Sequence, residues 1–226
     1  MTLNERLRPL KVSEYVALAG LGAFENERVE LIRGRVVRMA PQGEEHAWVV
    51  QAMTKLLVEH FGRWAAVRPS LPLQASEDSM PEPDFALVPR TKAPGPHPQQ
   101  ALLLIEVSSS SLGLDRKVKA PLYAEGGSPE YWIVDVAAAQ LEVFRAPKNG
   151  TWTEHFTLSA SDSIRPVSFP EVAFPLKDFL VAIASHCTAH RAVGISSQCW
   201  FEPTLGFKPG LSVTMYSPRL LAQAVP

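Results

Sequence analysis

Leu102-Leu103-Leu104-Ile105-Glu106-Val107 sets a single carboxylate in an apolar run of strand length. With Ala101 before it, the run lacks the in-out alternation of a half-solvated strand, so it predicts a central strand covered on both faces. An ionised side chain there is costly unless it is paired or holds a cation. Glu106 is therefore the first residue to ask about.

Working outward, Pro83-Asp84 opens a second strand over Pro83 to Val88, and Asp115-Arg116-Lys117-Val118-Lys119 begins a helix interrupted by Pro121 and stopped at Gly126-Gly127. Upstream, Ser13 to Ala19 reads as a short helix. Val29 to Ile32 and Arg35 to Met39 flank Arg33-Gly34 as a hairpin, and His46 to His60 carries apolar residues at helical spacing. Trp64 to Leu73 is a further expected strand, and Pro89 to Gln100 a proline-rich loop. Downstream, Glu130 to Val136 and Gln140 to Arg145 form two strands, then Trp152 to Leu158 with Ile164 to Phe169 another pair, then a helix from Leu176 to Ala184. The elements alternate without βαβ regularity, which predicts an α/β (α+β) fold: a mixed central sheet flanked by helices, with extra β-hairpins.

Residues 1–184 are read as one domain and 185–226 as a poorly ordered C-terminal extension, with a docked strap as the alternative, because periodicity ends there and prolines recur. Cys187 and Cys199 are read as reduced thiols. With His186 and His190 they lack the paired spacing of a zinc knuckle. A net charge of -1 gives no whole-molecule attraction to nucleic acid, so any such contact must be local. No run of eighteen apolar residues and no signal-like N-terminus is present, which leads to the expectation of a cytoplasmic protein without membrane contact.

Two converging carboxylates can hold a hard divalent cation, and a nearby ammonium can orient water or offset charge on phosphorus oxygens. Asp84, Glu106 and a lysine on the following helix are thus the parts needed for metal-assisted phosphodiester cleavage. Lys117 and Lys119, two apart on a helix, cannot both face the acids. Each candidate has an ordinary reading beside it: Asp84 as a turn residue, Lys119 as solvated, Glu30 as an outward strand residue, His46 as a helix cap. Tyr131 and Trp132 lie in an apolar strand and are read as core. Ser108 to Ser111, read as a flexible exit, lack the glycine pattern of a serine hydrolase.

Glu30 to Gly34, His46, Pro83 to Ala86, Ile105 to Ser108, Asp115 to Lys119 with Tyr123, and Glu130 to Asp135 stand in an order and spacing that resembles the Uma-two family of restriction-endonuclease-like proteins, compact relatives of the PD-(D/E)-x-K nucleases. The resemblance spans roughly residues 10 to 182. It implies a restriction-endonuclease-like core and a Mg²⁺ or Mn²⁺ site at Asp84 and Glu106 with the Val107 carbonyl. It also implies Glu30 as a third carboxylate, His46 in the cleft, and DNA as substrate. The lysine usual two residues after the second acid is replaced by Ser108, and its role passes to Lys119 by the spacing to Tyr123. Arg33 stands where the family's turn carries an acid. Arg33, Arg35, Arg38 and Arg116 are candidate phosphate-backbone contacts, with a solvated surface charge as the ordinary reading of each, and a homodimer is expected of an enzyme cutting both strands. The rival expectation is a catalytically inactive nuclease-fold module that binds DNA or protein.

Overall fold

The computed structural model describes residues 8–93, 95–181 and 183. Contacts divide the chain into units 1–193 and 194–226, and all described residues belong to the first. The extension from 185, with Cys187, Cys199, His186 and His190, lies outside the described residues.

Helix α1 (Val12–Gly20) leads into a hairpin of β1 (Val29–Ile32) and β2 (Arg35–Arg38), followed by α2 (Glu44–Phe61). The hairpin turns through Arg33 and Gly34, both at positive φ, as a two-residue turn with matching twist requires. At Gly34 a side chain would also collide with Pro9. The main sheet has six strands in sequential order: β3 (Ala65–Pro69), β4 (Phe85–Pro89), β5 (Leu103–Ser108), β6 (Glu130–Asp135), β7 (Gln140–Lys148) and β8 (Thr151–Leu158). Only β5 and β6 run parallel, and the crossover between them is α3 (Leu112–Leu114), a π turn (Asp115–Lys119) and α4 (Ala120–Glu125). A restart at Pro121, which cannot donate an amide, matches the expected interruption.

Every residue of β5 and β6 is buried, as the unalternating apolar run requires. Leu103, Ile105 and Val107 pack with Val49, Met53, Leu57 and Phe61 of α2. Leu104 packs with Ala120 and Tyr123 of α4, so strand alternation sends Glu106 to the α4 side. Trp132 and Tyr131 are fully buried on opposite faces of β6, as core residues.

One expected pairing is corrected. Ile164 does not join the β8 side of the main sheet: β9 (Ser163–Ile164) pairs with β10 (Phe174–Pro175) as a separate small ribbon. Two residues are too few to show a period of two in sequence. The helical segment that follows begins at 177, one residue later than expected.

Candidate active site

The β4–β5 ladder ends at Phe85 opposite Ile105. Continued by two residues, the same register would set Pro83 opposite Val107, and proline has no amide to offer. The ladder stops, and the Val107 amide instead donates to Asp84 Oδ2 at 2.8 Å. The Asp84 amide in turn points to Glu106 Oε2 at 3.4 Å. A proline and the sheet register thereby bring the two acids together across adjacent strand ends.

The other predicted residues arrive from three further elements. Lys119 Nζ, at the end of the π turn, donates to Glu106 Oε1 at 2.9 Å and lies 3.5 Å from Glu30 Oε2. Tyr123, one helical turn on, donates its hydroxyl to the same Glu106 oxygen at 2.9 Å. Glu30 on β1 accepts the Glu82 amide at 3.1 Å, pinning the hairpin to the segment before Asp84. In the first turn of α2, His46 Nε2 lies 3.1 Å from Asp84 Oδ2, while its Nδ1 is buried with no hydrogen-bond partner among the described residues. Protonation at Nε2 fits this arrangement, since the carboxylate can only accept. Lys117 is exposed, so of the two lysines it is Lys119 that faces the acids.

Apart from Tyr123, which is buried behind Glu106, and the exposed Lys117, these side chains line one cleft of about 280 Å³. Glu30, Asp84, Glu106, Asp115 and Lys119 form part of its lining, as do Arg28, Arg38 and Ser109 to Ser111. Asp115 is a site residue that sequence reasoning passed over. It is buried and accepts the Ser111 hydroxyl at 2.6 Å, so the serine run supports the site and is not merely a loose exit. Its spacing of four from Lys119 was the available signal, because residues four apart share a helical face. Glu82 was also missed. Its approach to Arg28, 3.6 Å away, joins residues 54 apart in sequence that no local pattern links.

Three of the arginines expected on a DNA backbone have carboxylate partners within the chain. Arg33 pairs with Glu125 at 2.9 Å, and Arg116 binds Glu142. Arg38 pairs with Glu27 at 3.0 Å but still lines the cleft. Arg35 is exposed and is not part of the cleft wall.

Electrostatically the cleft is overloaded with negative charge. Burial pushes the Glu106 carboxyl well above the usual carboxylate range; Lys119 works against this, while Asp84, Asp115 and Glu30 add to it. Burial likewise raises Asp115, and it raises Glu82 against the opposing charge of Arg28. For Lys119 burial alone would depress the ammonium, but Glu106, Glu30 and Asp115 outweigh it and the net shift is upward. Tyr123 is raised by burial and by Glu106, so its hydroxyl stays a donor.

A buried excess of carboxylate oxygen, lacking thiolate, suits a hard divalent cation. Among the described residues no three His, Cys, Asp or Glu side chains form a complete protein cage.

A family model, Uma2, described as "Putative restriction endonuclease", matches residues 12–177. The fold is similar to a solved structure from Anabaena variabilis described as a putative nuclease belonging to DUF820. The TM-score is 0.62 at 17% identity, covering 77% of this chain and 99% of the other. No curated protein matches. Among the described residues no helix is long and apolar enough to cross a membrane.

Proposed function

The chain belongs to the Uma2 family of restriction-endonuclease-like proteins, and we propose that it is a divalent-metal-dependent endonuclease hydrolysing phosphodiester bonds in DNA. The observation that carries this reading is the meeting of Asp84, Glu106 and Lys119 in one open cleft. Asp84 and Glu106, with the Val107 carbonyl, would hold Mg²⁺ or Mn²⁺. When bound there, such an ion would supply Lewis acidity toward a phosphoryl oxygen.

The protein's own groups divide the remaining work. Lys119, whose ammonium form is favoured by its carboxylate neighbours, orients water and offsets charge developing on the phosphorus oxygens. Tyr123 and Lys119 fix one oxygen of Glu106, leaving the other toward Asp84. His46 and the Val107 amide orient the Asp84 carboxylate through the same oxygen, Oδ2. Glu30 shares the Lys119 charge and keeps it from swinging away. Arg28 and Arg38 offer cations along the wall for flanking phosphates.

Isothermal titration with Mg²⁺ and Mn²⁺ tests the metal site. Wild type is expected to bind and Asp84→Ala not to; equal binding by both ends the assignment. Plasmid nicking by wild type, lost in Glu106→Ala and Lys119→Ala, is the expected companion result. Metal or DNA binding with no nicking under any condition would instead favour an inactive binding module.

A further inference from the structure

The helix that delivers Lys119 is not regular. Residues Asp115–Lys119 form a π turn, in which the Ala120 amide reaches back to the Asp115 carbonyl. Pro121 gives a local reason. In a continuous α-helix its ring would press on the carbonyl of Lys117, four residues earlier, and no amide would satisfy that carbonyl. The Ala120 carbonyl is taken by the Trp152 indole at 2.8 Å.

The wider turn has a consequence for side-chain direction. Residues three apart are neighbours on an α-helix, which would set Arg116 beside Lys119. In a π turn they diverge, and here they serve different carboxylates. Lys119 reaches Glu106 in the cleft, while Arg116 Nε donates to both oxygens of Glu142 at 2.9 and 3.0 Å, with Nη2 also on Oε1. Glu142 is buried on β7, a strand paired on both sides by β6 and β8. His155 of β8 approaches the same carboxylate at 3.3 Å and stacks on Phe144 with ring centroids 4.1 Å apart. The acceptor is therefore fixed to the sheet, and a forked guanidinium sets orientation as well as distance.

We propose that the Arg116–Glu142 pair is a clamp that holds the π turn and so places Lys119 against Glu106, which makes Arg116 a positioning residue and not a contact to DNA. This shares with the proposed function the premise that Lys119 serves the cleft, but its test does not require cleavage. Reductive methylation of the full chain, read peptide by peptide by mass spectrometry, measures the Lys119 amine directly. In wild type Lys119, only 5% exposed, is expected to label far more slowly than Lys117.

In Arg116→Ala, Lys119 labelling should rise roughly 10-fold, and kcat for nicking should fall roughly 10- to 100-fold with KM within about twofold, as small misplacements of a working group do. Arg116→Lys should fall between, because an ammonium cannot make the fork. Glu142→Gln should move both readouts in the same direction with Arg116 in place, and it carries the decision if Arg116→Ala does not fold. Wild-type labelling rates at Lys119 in these variants overturn the clamp, whatever the nicking result. A rise in KM with kcat unchanged also overturns it, since Arg116 would then be touching substrate. Should labelling follow expectation in a protein that cuts no DNA, the clamp stands and the nuclease reading falls.

Discussion

Two glutamates buried on neighbouring strands, Glu106 on β5 and Glu130 on β6, have opposite surroundings. Glu130 accepts the Trp132 indole at 2.7 Å and Arg145 at 2.9 Å on one oxygen, and the Val167 amide at 2.6 Å on the other. Both oxygens are supplied with donors, and Glu130 forms no part of the cleft wall. Among the described residues Glu106 has two donors crowded on Oε1 and, on Oε2, only the long approach of the Asp84 amide. A carboxylate with both oxygens satisfied ties strands together. One left underdonated at the edge of a cleft is available to a ligand, at a cost to the fold.

The sharpest way to break this contrast is to make the same substitution at both positions. Glu106→Gln should lower nicking by at least roughly 100-fold. Its stability should be unchanged or higher, because active-site charge is held against the fold's preference. Glu130→Gln should leave Mg²⁺ binding alone and cost about 2–3 kcal/mol, the worth of hydrogen bonds to a buried charged group. Urea unfolding and plasmid nicking measure both. Equal destabilisation with equal activity loss would mean that the two carboxylates do the same job.

A smaller effect is expected at Tyr123, whose hydroxyl favours the ionised form of Glu106. Tyr123→Phe keeps the ring among Tyr131 and Ile133 but removes that donor. Mg²⁺ affinity should weaken by roughly 10-fold, corresponding to about one net hydrogen bond. Unchanged affinity by isothermal titration would show that Lys119 alone orients the carboxylate.

The same contrast marks where sequence was sufficient and where it was not. The apolar run of β5, the hairpin at Arg33-Gly34 and the α2 stripe follow from short-range patterns, and all three stand in the structure. Glu106 was conspicuous because one charge interrupts that run, and Lys119 because of its spacing to Tyr123. Asp115 was hidden, since a helix aspartate is ordinarily solvated, and its burial depends on a π turn that follows from Pro121 and contacts with β7 and β8. The ion-pair partners of two arginines were hidden for a related reason. Arg33 and Arg116 find partners 92 and 26 residues away, and no local pattern announces a carboxylate at that distance.

Asp115 offers the finest test of how charge in the cleft is balanced. Burial raises its carboxyl, with Lys119 and the serine hydroxyls working against the shift, so the folded metal-free protein binds a proton there more tightly than the unfolded chain does. Stability from this group is therefore fully present below the ordinary carboxylate range and is lost as pH rises through the elevated value. Asp115→Asn removes the titration. Denaturant unfolding in the absence of divalent metal should find the variant gaining on wild type between pH 4 and pH 8, whatever constant offset the lost contact with Ser111 introduces. A difference between the two proteins that stays flat, or shrinks, across that range would mean that Lys119 compensates Asp115 fully. The surplus negative charge of the cleft would then reside on its other carboxylates, Glu30, Glu82, Asp84 and Glu106.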